Sequence, residues 1–273
     1  MSSGDRSECF LWSAASSNLT MSTFYESDRA VSEYLLFHYG KAEEILPYPD
    51  GPVSALNYPI RCVMRFSDDI GYSPKMRVLD LGCAVGRSTF EFARHCGEVV
   101  GIDYSNRFID CANQLRDEGA VSYRYVEQGE LTREAVARVP DEIDRDRVRF
   151  EQGDAMFLRE GLGRFDVILL ANLIDRLVDP AKCLASLVDL VKPGGFTVIT
   201  SPYTWLEEFT PREHWVGAKV SPAGEMTTFG ALGQLMNPRF ELRGSADLPF
   251  LIREHARKFQ WSVAQGTLWC RRD

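Results

Sequence analysis

The segment VLDLGCAVG, Val78 to Gly86, constrains this chain more than any other stretch of it. A short apolar run meets an aspartate, passes two glycines four residues apart, and gives way to a helical pattern over 87–96. That order is a strand, a tight turn and a helix, the unit in which glycines let backbone come close to a ligand. A second strand pattern, EVVGID, ends at Asp103 about twenty residues on, where a carboxylate can accept both hydroxyl protons of a ribose. The middle glycine of G-x-G-x-x-G is replaced by Ala84, and no Walker lysine motif is present. A ligand with a ribose but no pyrophosphate fits this wording best; another nucleotide and a purely structural turn are the competing readings.

Downstream, the pattern keeps alternating. A helix is expected over 106–117, capped by Ser105. In the insertion 119–147, VSYRYVEQG reads as a strand, LTREAVARVP as a helix ended by Pro140, and DEIDRDR as a solvated connection. Residues 148–152 form the next strand, and FDVILLA is the nearly continuous apolar run of a strand covered on both faces. An amphipathic helix over 180–191 ends at Lys192-Pro-Gly-Gly195, with a fifth strand over 196–201. A short helix around 228–236 precedes a terminal hairpin made of 259–263 and 266–271. Ahead of the core, 24–39 is an aromatic-rich helical stretch and 59–70 a further helix, both free to cover the ligand or shape a second pocket. The organisation expected is a mobile segment over 1–21, helical cap elements over 22–70, and an α/β core over 71–273.

Lys and Arg number 31 against 39 Asp and Glu, a net charge of −8, which disfavours nucleic acid and anionic membrane as partners. No run approaches a membrane span, and the polar N-terminus does not read as a secretory signal. Seven dispersed cysteines without a C-x-x-C pair fit a reduced, cytoplasmic setting better than a disulfide framework or a zinc site. Cys83, inside the glycine turn, reads as a small side chain in a crowded place rather than a nucleophile. Neither a metal nor a particular oligomeric state is indicated.

With these residues the chain resembles the class I S-adenosylmethionine-dependent methyltransferases, which implies a Rossmann-like seven-stranded sheet with helices on both faces. Under that resemblance Asp80, Gly82, Cys83 and Gly86 form the first cofactor motif, and Asp103 takes the ribose hydroxyls beside Tyr104 as an adenine wall. Asp80 orients the loop or receives the methionyl ammonium, and a helix-cap role is its plain alternative. Asp154 would meet the adenine amino group, with Ala155 and Met156 offering backbone or apolar contact. Asn172, after the central strand, would lie near the reacting sulfonium and bind cofactor or substrate.

Beyond the cofactor motifs, FYES, VSEYLLFHYG, the NYP turn, ANLIDRL and SPYTWLEEFTP together resemble the 5-thiohistidine N-methyltransferases of ovothiol biosynthesis. The resemblance implies an amino-acid-derived thioimidazole as substrate and S-adenosylhomocysteine as coproduct. Such a substrate needs a carboxylate clamp, for which Arg176 and Arg61 are candidates, and an ammonium partner from Asp175, Glu207 or Glu208. Tyr25, Tyr39, Tyr203 and Trp205 are candidates for a flat wall. His214 is the candidate for proton handling, with His38 its rival. A methyltransferase for another small N, O or S acceptor, and a noncatalytic cofactor-binding partner protein, are the other readings.

Overall fold

The computed structural model describes residues 25–222 and 224–273. The segment 1–21, expected to be mobile, lies outside them, as does the start of the aromatic stretch at Phe24.

Among the described residues, four α-helices precede the sheet: α1 (Asp28–Tyr39), α2 (Ala42–Ile45), α3 (Tyr58–Met64) and α4 (Ser67–Ile70). The Ser27 hydroxyl accepts the Ala30 N–H at the start of α1, and Asp28 places a negative charge in its first turn, both favourable at a helix N-terminus. The single helix expected over 59–70 is two, because the backbone turns away from helical geometry at Phe66, which buries its ring in the core.

The alternating part then runs β1 (Arg77–Leu81), α5 (Arg87–Ala93), β2 (Glu98–Asp103), α6 (Asn106–Glu118), β3 (Ala120–Gln128), β4 (Leu131–Arg138), β5 (Val148–Gln152), β6 (Phe165–Ala171), α7 (Pro180–Leu190) and β7 (Val191–Ser201). A small hairpin, β8 (Lys219–Ser221) with β9 (Gly224–Met226), and α8 (Thr228–Met236) lead into β10 (Phe240–His255) and β11 (Lys258–Arg271). The main sheet has seven strands in the order β10-β11-β7-β6-β1-β2-β5. Its five strands from β5 to β7 are parallel, and β11 and β10 add antiparallel at one edge.

Burial on both faces explains the apolar runs. Val78, Val167 and Leu169 pack into the core under α1, α3, α5 and α6, while Leu79, Ile168 and Leu170 face the core under α7 and α8. The period-two alternation of strand side chains assigns successive residues to opposite layers, so positions facing either layer are mostly apolar. Strand order reverses between β1 and β6, which opens a crevice beyond their carboxyl ends.

Three further expectations are corrected. Residues 131–138 are strand β4, antiparallel to β3, not a helix. The turn at Gly129 (φ +58°) folds the chain back, and the burial of Ala135 and Ala137 around exposed Val136 has the period of a strand. The stretches 259–263 and 266–271 do not pair with each other; both lie in β11, which forms the hairpin with β10 through the turn at Ala256 and Arg257 and also pairs with β7. Gly266 lies within β11 opposite Ala246, where a Cβ would come within 2.9 Å of the Leu248 side chain. Lys192-Pro-Gly-Gly195, expected as a terminator, lies within β7, where the pairing with β6 is irregular.

Candidate functional site

A cavity of about 430 Å³ opens at the strand-order reversal, a size ordinary for a small-molecule site. Its floor is the turn after β1. Gly82 and Gly86 have φ of +80° and +83°, and a side chain on Gly86 would come within 2.5 Å of the Phe150 ring. Ala84 also adopts a left-handed conformation (φ +47°), one that glycine reaches without strain. It is held there by its N–H, which donates to Asp103 Oδ2 at 2.8 Å. The Ser105 N–H donates to the other carboxylate oxygen at 2.9 Å. Asp103 thus stands at the cavity edge with its orientation set by backbone, and burial raises its pKa to about 6.

Asp80 is wholly buried beneath this turn and does not reach the cavity lining. Its Oδ2 accepts from the Ser88 hydroxyl at 2.6 Å and the Thr89 hydroxyl at 2.7 Å, tying β1 to α5. Its Oδ1 is buried with no partner among the described residues, and burial pushes its pKa to about 6. Gly86 likewise shapes the turn without lining the cavity. Gly82 and Cys83 do line it, and burial holds the Cys83 thiol well above its ordinary pKa, against a thiolate role.

Asp154, Ala155 and Met156 border the cavity after β5, with the Met156 N–H on Asp154 Oδ1 at 2.8 Å. Tyr104, largely exposed, flanks the same end. At the opposite end Asn172 adopts a left-handed backbone (φ +51°) directly after β6. Its Oδ1 accepts from the Tyr58 hydroxyl at 2.7 Å, and that hydroxyl also meets the Thr200 hydroxyl at 2.7 Å. A non-glycine residue in this conformation, fixed by a buried network, is the kind of strain found at ligand sites. Tyr58 is a lining residue that the sequence reading passed over; its signal was the NYP turn, which starts α3 with Tyr58 directed inward.

Among the acceptor candidates, Arg176, Tyr25 and Glu208 line the cavity. Arg176 Nη1 donates to Asp175 Oδ2 at 2.9 Å and to the Thr204 carbonyl at 3.1 Å, and its guanidinium lies 4.6 Å from the Phe209 ring centre. Asp175 is completely buried, bonded by the Ser201 hydroxyl at 3.0 Å, and serves Arg176 from behind. His38 also lines the cavity; burial, with the charge of Arg87, lowers its pKa to about 3 and keeps the ring neutral.

The remaining candidates fall outside the lining. Tyr39 donates its hydroxyl to the Val85 carbonyl at 2.9 Å and supports the glycine turn from behind. Tyr203 donates to Gln265 Oε1 at 2.9 Å, and buried Trp205 donates to Thr228 Oγ1 at 2.9 Å. Arg61 is spent on the carbonyls of Leu56 and Pro249. Glu207 lies on the surface, 4.0 Å from Arg212. His214 sits in an exposed turn with Nδ1 on the Val178 carbonyl at 2.8 Å. In each case a side chain close in sequence to a lining residue points the other way.

A methyltransferase domain model matches residues 79–197. A curated relative, the ubiquinone biosynthesis O-methyltransferase of Leptothrix cholodnii, is 26% identical over 208 residues, 75% of this chain and 76% of that protein. Others of the same description match over 40% to 53% of their own length. Two solved structures share the fold. The N-methyltransferase NodS from Bradyrhizobium japonicum, in complex with S-adenosylhomocysteine, has a TM-score of 0.51 at 14% identity, covering 89% of this chain and 99% of that one. Magnesium protoporphyrin IX methyltransferase from Synechocystis, also with S-adenosylhomocysteine, has a TM-score of 0.55 at 12% identity, covering 92% and 98%.

S-adenosylmethionine suits the residues present: a crowded glycine turn, a carboxylate with preset orientation one strand over, and a second carboxylate after β5. Sheet order and solved structures together give this chain the fold of the class I S-adenosylmethionine-dependent methyltransferases, and its sequence is similar to a methyltransferase domain and to small-molecule methyltransferases.

Proposed function

We propose that the chain methylates the side-chain-proximal ring nitrogen of 5-thiohistidine, forming ovothiol A. One observation carries this reading. The segments on which the ovothiol resemblance rests all supply cavity lining: Tyr25 from FYES, His38 from the α1 stretch, Tyr58 from NYP, Asn172 and Arg176 from ANLIDRL, and Glu208 from the Trp-rich segment. Segments outside the minimal cofactor core that converge on one wall are where acceptor selectivity resides.

Bound S-adenosylmethionine supplies an electrophilic methyl group, so the chain has only to bind, orient and exclude water. Asp103 takes the ribose hydroxyls, the turn from Gly82 to Ala84 meets the ligand through backbone, and Asp154 serves the adenine end. Phe37 and Tyr58, both lining the cavity, stack at 6.0 Å between ring centres and offer apolar edges to a planar ring, while Phe250 backs Tyr58 at 4.9 Å. Arg176 takes the acceptor carboxylate and Glu208 the ammonium. With its Oδ1 held by Tyr58, Asn172 offers its amide N–H groups to the ligands.

The curated relatives, named for ubiquinone biosynthesis, favour a second reading in which the acceptor is a hydroxyl of another small molecule. Purified protein incubated with S-adenosylmethionine and, in parallel, 5-thiohistidine, histidine and a catechol separates the two by mass-resolved turnover. Mono-N-methyl-5-thiohistidine with little product from histidine is the expected result. Methylated catechol alone moves the assignment to oxygen acceptors. Cofactor binding without product from any of the three removes both readings.

A further inference from the structure

We propose that Tyr58, backed by Thr200, orients the Asn172 side-chain amide so that its N–H groups donate to the acceptor's sulfur, which makes the sulfur part of recognition. The inference rests on the 5-thiohistidine reading proposed above and names the sulfur contact which that reading leaves open. Asn172 follows β6 and lines the cavity. Its backbone N–H donates to the Thr200 carbonyl at 2.8 Å, which ties the left-handed residue to the end of β7. Its side-chain Oδ1 accepts from the Tyr58 hydroxyl at 2.7 Å; the Thr200 hydroxyl lies 3.3 Å from the same oxygen and 2.7 Å from the Tyr58 hydroxyl. Thr200 is wholly buried and Tyr58 nearly so, which withdraws both hydroxyls from bulk solvent. The amide nitrogen, Nδ2, has no hydrogen-bond partner among the described residues. It is also not one of the unpartnered polar atoms shut off from solvent, and the open space beside Asn172 is the cavity. One end of the amide is thus bonded inside the protein, and the other is left for a ligand.

The chemistry of the free end narrows its partner. An amide nitrogen only donates, so the group it meets must offer a lone pair or a negative charge. Few atoms of 5-thiohistidine remain for that role. Its carboxylate and ammonium go to Arg176 and Glu208, which line the same cavity. One ring nitrogen carries the N–H, and the other must keep its lone pair for the methyl group. Sulfur is left, with lone pairs as the thiol and a negative charge as the thiolate. Histidine has a C–H at that position, which cannot accept, so the amide separates the two compounds by a contact that only one can make. The ring lone pair forms the new N–C bond as the sulfonium C–S bond breaks, its electron pair staying on the cofactor sulfur. The positive charge passes to the acceptor ring, where a thiolate bonded to Asn172 balances it.

Calorimetry of 5-thiohistidine and of histidine binding to protein saturated with S-adenosylhomocysteine tests this. The wild type should prefer 5-thiohistidine by about tenfold or more, the scale of one hydrogen bond. Asn172→Gly removes the amide and puts there a residue that reaches left-handed backbone without strain. It should reduce the preference to about threefold or less and leave S-adenosylhomocysteine affinity within about twofold. Tyr58→Phe, which keeps the ring against Phe37 and Phe250, should lose the same preference. The double variant should lose no more than either single one, because Tyr58 acts through Asn172. Losses that add mark a packing role for Tyr58 and overturn the proposal. An unchanged preference in Asn172→Gly also overturns it, and so does a parallel fall in S-adenosylhomocysteine affinity, which gives the amide to the cofactor. A wild type that binds both compounds equally overturns it and leaves ring-nitrogen methylation standing. Wild-type protein that binds S-adenosylhomocysteine but not 5-thiohistidine overturns the acceptor assignment, and this proposal with it. A measurement on unaltered protein stands independently of variant folding: the Asn172 side-chain ¹⁵N–H resonances should move more with 5-thiohistidine than with histidine, and equal movement overturns the proposal.

Discussion

Asp80→Asn should change how stability depends on pH in a way set by the burial of one carboxylate. Asp80 has no exposed surface, accepts two hydroxyl hydrogen bonds on Oδ2, and has a pKa raised from 3.8 to about 6, chiefly by desolvation. A raised carboxylate pKa means that the folded state holds the proton more tightly than the unfolded chain does. Its stability contribution is therefore complete below the unfolded value of 3.8 and is lost as pH rises through about 6. At about 1.4 kcal/mol per pH unit, the full difference is about 3 kcal/mol, of which about 2–3 kcal/mol falls between pH 4 and pH 8. Asparagine resembles the protonated acid, keeps an oxygen for Ser88 and Thr89, and places an N–H pair at the unpartnered Oδ1 position at a pH-independent cost of about 1–3 kcal/mol. Urea denaturation of both ligand-free proteins from pH 4 to pH 8 measures the difference directly. The variant should gain on the wild type by about 2–3 kcal/mol across that range, whatever the offset at pH 4. A stability difference that stays constant with pH refutes the claim that a buried ionised carboxylate sits under the glycine turn.

Asp103→Ala should weaken S-adenosylhomocysteine binding by about 1.5–3 kcal/mol, the range for hydrogen bonds to a charged group, and unchanged calorimetric affinity would remove the ribose assignment. Gly86→Ala combines a left-handed backbone with a Cβ 2.5 Å from Phe150, so it should destabilise the fold by about 2–5 kcal/mol; an unchanged melting temperature would contradict the geometry. His214→Ala, on an exposed turn outside the cavity, should leave turnover within about twofold, as surface changes of ±0.5 kcal/mol do, and a hundredfold loss would bring that turn into the reaction.

The glycine turn was legible because its geometry is local: Gly82 follows β1, Gly86 caps α5 and Asp103 ends β2, and the turn requires left-handed backbone at Gly82 and Gly86. The insertion was misread for an equally local reason: LTREAVAR carries charges at spacings that suit a helix, and only pairing with β3 shows the period of two that buries Ala135 and Ala137. The other candidate residues were legible as segments and not as side chains. Tyr39, Tyr203, His214 and Arg61 lie in the right stretches but turn toward Val85, Gln265, Val178 and Pro249. Tyr58 and Asn172, 114 residues apart, meet through one hydrogen bond that no spacing announces.

The amino-acid sequence by itself determined the doubly covered parallel sheet and the glycine turn that floors the cavity. Apolar periodicity and glycine placement are properties of adjacent residues, and they act wherever the rest of the chain goes. Only the tertiary structure decided that Asp80 braces the turn from beneath and that Asn172 is oriented by Tyr58. Those roles depend on which side of an element each group occupies after α1, α3, β6 and β10 have packed together, because hydrogen bonds between distant segments form only once burial has fixed their directions.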